Sequence, residues 1–136
     1  MIIGVTATQQ GLTDRQKRLV REELIALGAT ELHHGDCIGG DADIHQIAVE
    51  LDLYIIIHPP RNESKRAFCE AHETRRALEY LDRNKNIVLE SNFLIGCPRY
   101  NREELRSGTW STIRFARRIA KDYVVILPIQ PKIVVD

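Results

Sequence analysis

Four short, continuous apolar runs punctuate the chain, at residues 2–6, 53–57, 93–97 and 123–127, with a weaker one at 31–34. Runs this short and this apolar have no polar face to turn to water, so as strands they must be covered on both sides. The segments between them carry helical spacing, and that alternation describes a parallel sheet between two helix layers, joined by right-handed crossovers. The expected fold is α/β, a doubly wound, mostly parallel sheet of about five strands, Rossmann-like, with a flavodoxin-like strand order as the alternative. At 136 residues and 43% apolar, the chain fills one core and not two, so residues 1–136 are expected to form a single domain.

The helices announce themselves unequally. Thr13 and Gln16 form a capping box, after which Val20, Leu24 and Leu27 share a face before Gly28 closes the helix. Ile44, Ile47, Ala48 and Leu51 make a second apolar stripe, and Ile113, Ala116 and Ala120 mark a last helix opening at Gly108 and Thr109. Between these, Ala77, Leu78 and Leu81 predict a helix over 71–81, followed by a turn at 86–90. Pro59-Pro60 and Pro128 end strands. The apolar residues 133–135 read either as an added edge strand or as a homodimer contact.

Charge and cysteine content narrow the partners. Nineteen basic residues balance nineteen acidic ones, which removes the electrostatic signature of a dedicated polyanion binder. Arg114, Arg117, Arg118 and Lys121 do form a basic stripe on the last helix, but with 6% aromatics the chain offers few stacking platforms, and a nucleic-acid partner is not expected. Cys37, Cys69 and Cys97 are odd in number and widely spaced, which fits a reducing compartment. Gly4 interrupts the leading apolar residues and no run reaches spanning length, so neither signal peptide nor membrane segment is expected, and a cytoplasmic location is.

In a doubly wound sheet, ligands bind beyond the carboxyl ends of the strands. One loop on that edge is HHGDCIGGDADIH, residues 33–45, with three histidines, three aspartates and a cysteine in thirteen positions. Gly39-Gly40-Asp41 opens one helix there and Ser107-Gly108-Thr109 opens another. Each is a candidate anion site, because a helix start offers unpaired N–H groups and glycine lets an oxygen approach the backbone. The loop also contains metal-ligand types, with Asp41 and His45 four apart on a helix and His33, His34 and Cys37 nearby. His33 and His34, however, alternate across a strand, Asp41 is a natural helix N-cap, and the usual zinc spacings are absent. No metal and no resident cofactor are expected.

GVTATQQG at the first turn, the 33–45 loop, HPP after the third strand, RNKNIV before the fourth and RSGTWSTIRFAR after it together resemble the SLOG superfamily. It joins the DNA-processing protein DprA and the Lonely Guy phosphoribohydrolases. The resemblance runs through almost the whole chain. It implies a Rossmann-like nucleotide-binding domain whose pocket takes Thr6, Thr8 and Gln9 from the first loop and Gly35, Asp36, Gly39, Gly40 and Asp41 from the second. Arg83, Asn84, Ser107, Gly108 and Thr109 complete it; Trp110, beside Thr109, reads either as a platform for a base or, as a lone tryptophan more often is, as a core residue. Arg83 is the implied phosphate ligand.

The expected function is binding of a nucleotide or nucleotide-derived phosphorylated small molecule, as a sensor or sequestering module. A nucleotide N-glycosidase is the alternative, with Arg83, Asp36 and Asp41 as its candidate catalytic residues. Against it, Ser111 and Thr112 stand where Lonely Guy enzymes carry two glutamates, and a hydroxyl cannot replace a carboxylate in glycosidic cleavage. A DNA-binding, recombination-mediator-like protein is the third reading. Related proteins commonly form dimers, so a homodimer is an expected assembly.

Overall fold

A computed structural model describes residues 1–132. The sequence-predicted edge strand at 133–135 lies outside them. The elements in chain order are β1 (Ile2–Ala7), α1 (Asp14–Ala26), β2 (Glu31–His34), α2 (Gly40–Glu50), β3 (Tyr54–Ile57), β4 (Glu73–Thr74), α3 (Tyr80–Leu89), β5 (Phe93–Cys97), α4 (Gly108–Arg118) and β6 (Asp122–Val125). Every strand pairing is parallel, and the order is β4-β3-β2-β1-β5-β6. Placing β1 between β2 and β5, with β3 beyond β2, is the Rossmann arrangement and removes the flavodoxin-like alternative. The chain reverses its direction of travel across the sheet between β1 and β5, and the carboxyl ends of those two strands frame the binding crevice.

Alternation along β1 divides the core. Ile3 and Val5 face α1 and α2, where Val20, Leu24, Ile44 and Ile47 join Leu32, Ile55 and Ile95 in the larger cluster. Gly4 and Thr6 face α3 and α4, and there Val88, Leu94, Trp110, Ile113 and Ala116 form the smaller cluster. Helix α1 starts as its sequence predicts: Thr13 and Gln16 exchange side-chain and backbone hydrogen bonds in a complete capping box.

The helix expected over 71–81 is not there. The His72 and Arg75 N–H groups instead donate to the carbonyls of Ile55 and Ile57, so this stretch extends along β3 and supplies the sixth strand. The helix begins at Tyr80, and the expected turn at 86–90 is its last turn. Its inward positions are Arg83 with Ile87 and Asn84 with Val88, each pair one turn apart. Two polar residues therefore occupy half of the buried stripe, which hides it from any search for apolar periodicity. The final strand is shorter than predicted, ending at Val125, and Ala120 leaves α4 in the left-handed region at φ 57°.

Candidate functional site

A cleft of about 320 Å³ lies at the carboxyl ends of β1 and β5. One wall is the loop after β1, Thr8 to Gln10; the opposite wall is the start of α4, with Tyr80 closing one side and Arg99 and Arg106 on the rim. Ser107 caps α4, its hydroxyl accepting from the Trp110 N–H at 3.2 Å. Its carbonyl accepts from Ser111. The N–H groups of Gly108 and Thr109 then have no acceptor among the described residues, as the geometry of a helix start requires unless a ligand supplies one. Thr109 is only 6% exposed, lines the cleft, and its hydroxyl is likewise without a partner there. Arg99 is held by Glu104 through two bonds of 3.1 and 2.8 Å, whereas Arg106 has no ion-pair partner among the described residues. Among the described residues, no carboxylate lines the cleft. Its fixed dipoles and charges all favour an anion.

The second expected anion mouth, at α2, is closed. The Gly40 N–H donates to the Thr8 carbonyl at 2.8 Å. A Cβ on Gly39 would stand 2.1 Å from the Gln9 carbonyl oxygen, and one on Gly40 would stand 2.4 Å from the Ala7 Cβ. The glycine pair thus lets the first loop lie directly on the start of α2, and Gly39, at φ 87°, also supplies a backbone conformation other residues avoid. The N-cap is Gly39, not Asp41.

The three candidate catalytic residues are committed to the protein itself. Asp36 is fully buried, accepts from the Cys69 N–H at 2.8 Å and pairs with Arg66 at 2.6 Å, fastening the 66–69 loop. Asp41 accepts from the Gly35 and Cys37 N–H groups at 3.1 and 3.3 Å, and burial pushes its carboxyl up to about 6. Arg83, 3% exposed, donates to the Gly35 carbonyl at 2.6 Å, the His58 carbonyl at 3.1 Å and the Asn84 side chain at 2.7 Å. Asp41 and Arg83, with Thr6, Gly35 and Asn84, line a narrow crevice that borders the main cleft at Ala7 and Tyr80, and Asp36 lies outside both. The structure therefore brings Thr8, Gln9, Ser107, Gly108 and Thr109 to one surface and sets Thr6, Gly35, Asp41, Arg83 and Asn84 beneath it. Trp110 is not at the cleft: its ring packs in the smaller core cluster and its buried indole N–H has no acceptor among the described residues.

The histidines pair off in a way the sequence only half discloses. As strand alternation requires, His34 faces α2 and His33 the other side of the sheet. His34 Nε2 lies 2.9 Å from His45 Nδ1, with Cys69 close by; His33 Nδ1 lies 2.8 Å from His58 Nε2, with Glu90 near. Either trio has metal-ligand character. In the first, His34 Nδ1 accepts from the Asp36 N–H at 2.9 Å, so the neutral ring carries its proton on Nε2, where a metal would need a lone pair. In the second, the facing nitrogens stand at hydrogen-bond distance, and Glu31 holds the far side of His33 at 2.7 Å. Tyr80, Arg99 and Arg106, which shape the cleft, escaped the sequence reading because nothing in their local pattern separates them from ordinary surface residues.

No protein-family model matches the chain, and no curated protein does. Solved structures do. A molybdenum cofactor binding protein from the phototrophic bacterium Rippkaea orientalis superimposes with a TM-score of 0.70 at 23% identity, over 91% of this chain and 74% of that one. The structural-genomics target TM1055 gives 0.63 at 14% identity, over 90% and 71%. DNA processing protein A from Helicobacter pylori, described with a single-stranded DNA binding mode, gives 0.61 at 19%, over 92% of this chain and 64% of that protein. The chain shares the Rossmann-like fold of these structures. No helix among the described residues is long and apolar enough to cross a membrane.

Proposed function

We propose that this protein binds a nucleotide or a nucleotide-derived phosphorylated small molecule, with its phosphate at the start of α4. The observation that carries the reading is the coincidence, in a cleft lined by no carboxylate among the described residues, of the Gly108 and Thr109 amides, the Thr109 hydroxyl and Arg106, none of which has a partner among those residues. A phosphate wants several donors converging at one point, and a helix start backed by a guanidinium supplies them. The Rippkaea protein, named for a cofactor it binds, supports a small-ligand role for this fold.

The competing readings find less support. Glycosidic cleavage needs a carboxylate beside the sugar, whereas Asp36 is tied to Arg66 and Cys69, Asp41 lies behind Tyr80, and the Thr112 hydroxyl is spent on the Gly108 carbonyl. The basic stripe of α4 is largely used internally: Arg114 holds Glu103 and two loop carbonyls, Arg117 the Tyr123 hydroxyl, and Lys121 the Ser91 carbonyl. That leaves little of it for a phosphodiester backbone.

Calorimetric titration with 5′-AMP, adenosine and inorganic phosphate tests the reading. AMP is expected to bind more tightly than adenosine, and Arg106→Ala to weaken AMP about tenfold, the loss of one charge-assisted contact. Equal affinity for adenosine and AMP, or no binding of any phosphate, would overturn it. Chromatography of the same mixtures separates binding from hydrolysis, since release of adenine would revive the glycosidase.

A further inference from the structure

Within the same cleft, and resting on the phosphate reading above, we infer that Tyr80 is the ring platform that makes the site select phosphate esters of planar heterocycles over simple sugar phosphates. Tyr80 is the one aromatic residue lining the cleft among the described residues, Trp110 having its ring in the core. It is the first residue of α3 and 38% exposed. The Arg83 guanidinium sits over its ring, 4.8 Å from the centroid. One face of the ring is therefore covered by a cation while the residue borders the cleft, so a ligand there would stack on the face opposite the guanidinium.

The position of that ring is fixed from two sides. Arg83 cannot shift, because its donors are held by the Gly35 and His58 carbonyls and the Asn84 side chain. At the α4 start, a Cβ on Gly108 would come within 2.7 Å of the ring edge and 2.8 Å of the hydroxyl oxygen. Glycine at 108 is thus what allows the ring and the free amides of the helix start to stand side by side. A ring held this way loses no rotamer freedom when a ligand stacks on it, so the contact works at nearly full strength. Heterocycle stacking on an aromatic face is tolerant of which heterocycle it is, because every base presents a π face. The site is accordingly selective for the class, a planar ring joined to a phosphate, and not for one base.

Titration of the full chain with 5′-AMP and with ribose 5-phosphate reads this directly. The wild-type protein is expected to bind AMP about tenfold more tightly, the scale of one stacked base. Tyr80→Phe keeps that ratio, and Tyr80→Leu brings it close to one. Equal wild-type affinity for the two probes, or a Tyr80→Leu variant that weakens both alike, would overturn the inference while leaving the phosphate reading intact. No binding of either probe removes both. Intermolecular NOEs between the adenine H2 or H8 and the Tyr80 ring protons in the wild type give a test that does not depend on any variant folding. Their absence in a saturated complex would also overturn it.

Discussion

The Arg83 guanidinium reaches from α3 to the Gly35 carbonyl at the end of β2, a contact of 2.6 Å inside the protein. Since it also takes the His58 carbonyl just beyond β3, one side chain closes the carboxyl ends of two strands against a helix. Removing it leaves two buried carbonyls without a donor, and Arg83→Ala is expected to destabilise the fold by roughly 3 kcal/mol or more. Arg83→Lys should recover little, since an ammonium cannot address carbonyls and the Asn84 oxygen in a plane. Urea denaturation measures both. An Arg83→Ala protein as stable as the wild type would return this residue to the list of ligand-binding groups.

Gly39 and Gly28 both have positive φ, at 87° and 63°, yet they should respond differently to a methyl group. Nothing lies within 4 Å of a Cβ on Gly28, so Gly28→Ala carries only the backbone term, about 1 kcal/mol. On Gly39 the same Cβ meets the Gln9 backbone at 2.1 Å, and the loop after β1 must move away from α2. Gly39→Ala is expected to cost about 3 kcal/mol or more, and to weaken AMP as well, because that loop forms a wall of the cleft. Thermal melts of the two variants, followed by AMP titration, check the contrast.

What was legible in the sequence follows from which residues carry the pattern. Strands such as 53–57 and 93–97 are apolar throughout because both faces are covered, and they stand out wherever one looks. Helix α1 was visible from its capping box and from the apolar face of Val20, Leu24 and Leu27 that Gly28 closes. Helix α3 was not, because Arg83 and Asn84 fill core positions and are satisfied only by groups distant in sequence, Gly35 and His58. The glycines of 39–40 and 108 look alike as letters. One pair meets a backbone and the other residue meets a ring, a difference that lies entirely in what packs opposite them. The carboxylates Asp36 and Asp41 were plausible catalysts until their partners, the Cys69, Gly35 and Cys37 amides, were in view.

Glu104 restrains Arg99 on the rim of the cleft through two hydrogen bonds. Replacing it by glutamine removes a negative charge near the anion site and frees the arginine to face the ligand. Glu104→Gln is expected to raise AMP affinity severalfold at low ionic strength, the gain shrinking with added salt as exposed charges are screened. Arg99→Ala, by the same reasoning, should cost less than Arg106→Ala, since Arg99 is already neutralised. Calorimetric titration at two salt concentrations tests the order; a Glu104→Gln protein that binds more weakly would show that the pair serves to shape the rim.

Two buried histidines set the acid limit of the fold. Burial, reinforced by the neighbouring His45, holds His34 well below the usual imidazole range, and burial with His33 beside it brings His58 down to about 4. Unfolded, both take up a proton near pH 6.5. Between about pH 6.5 and 4 the unfolded chain thus binds a proton that folded His58 refuses, and His34 acts in the same direction; stability falls as pH falls, by about 1.4 kcal/mol per pH unit for a histidine kept neutral by the fold. Asp41 acts in the opposite sense: with its carboxyl raised to about 6, the folded protein holds a proton that the unfolded chain gives up, so acid favours folding through this group. Two histidines outweigh one aspartate, and the wild-type profile should still fall towards acid. Asp41→Asn removes the opposing contribution while its side-chain oxygen can still accept from Gly35 and Cys37. The variant is expected to be more stable than the wild type by about 3 kcal/mol at pH 8 and to converge with it near pH 4, giving a steeper profile. Urea midpoints at pH 4.5, 5.5, 6.5 and 8 decide it, and parallel profiles for the two proteins would mean that Asp41 is ionised in the fold throughout.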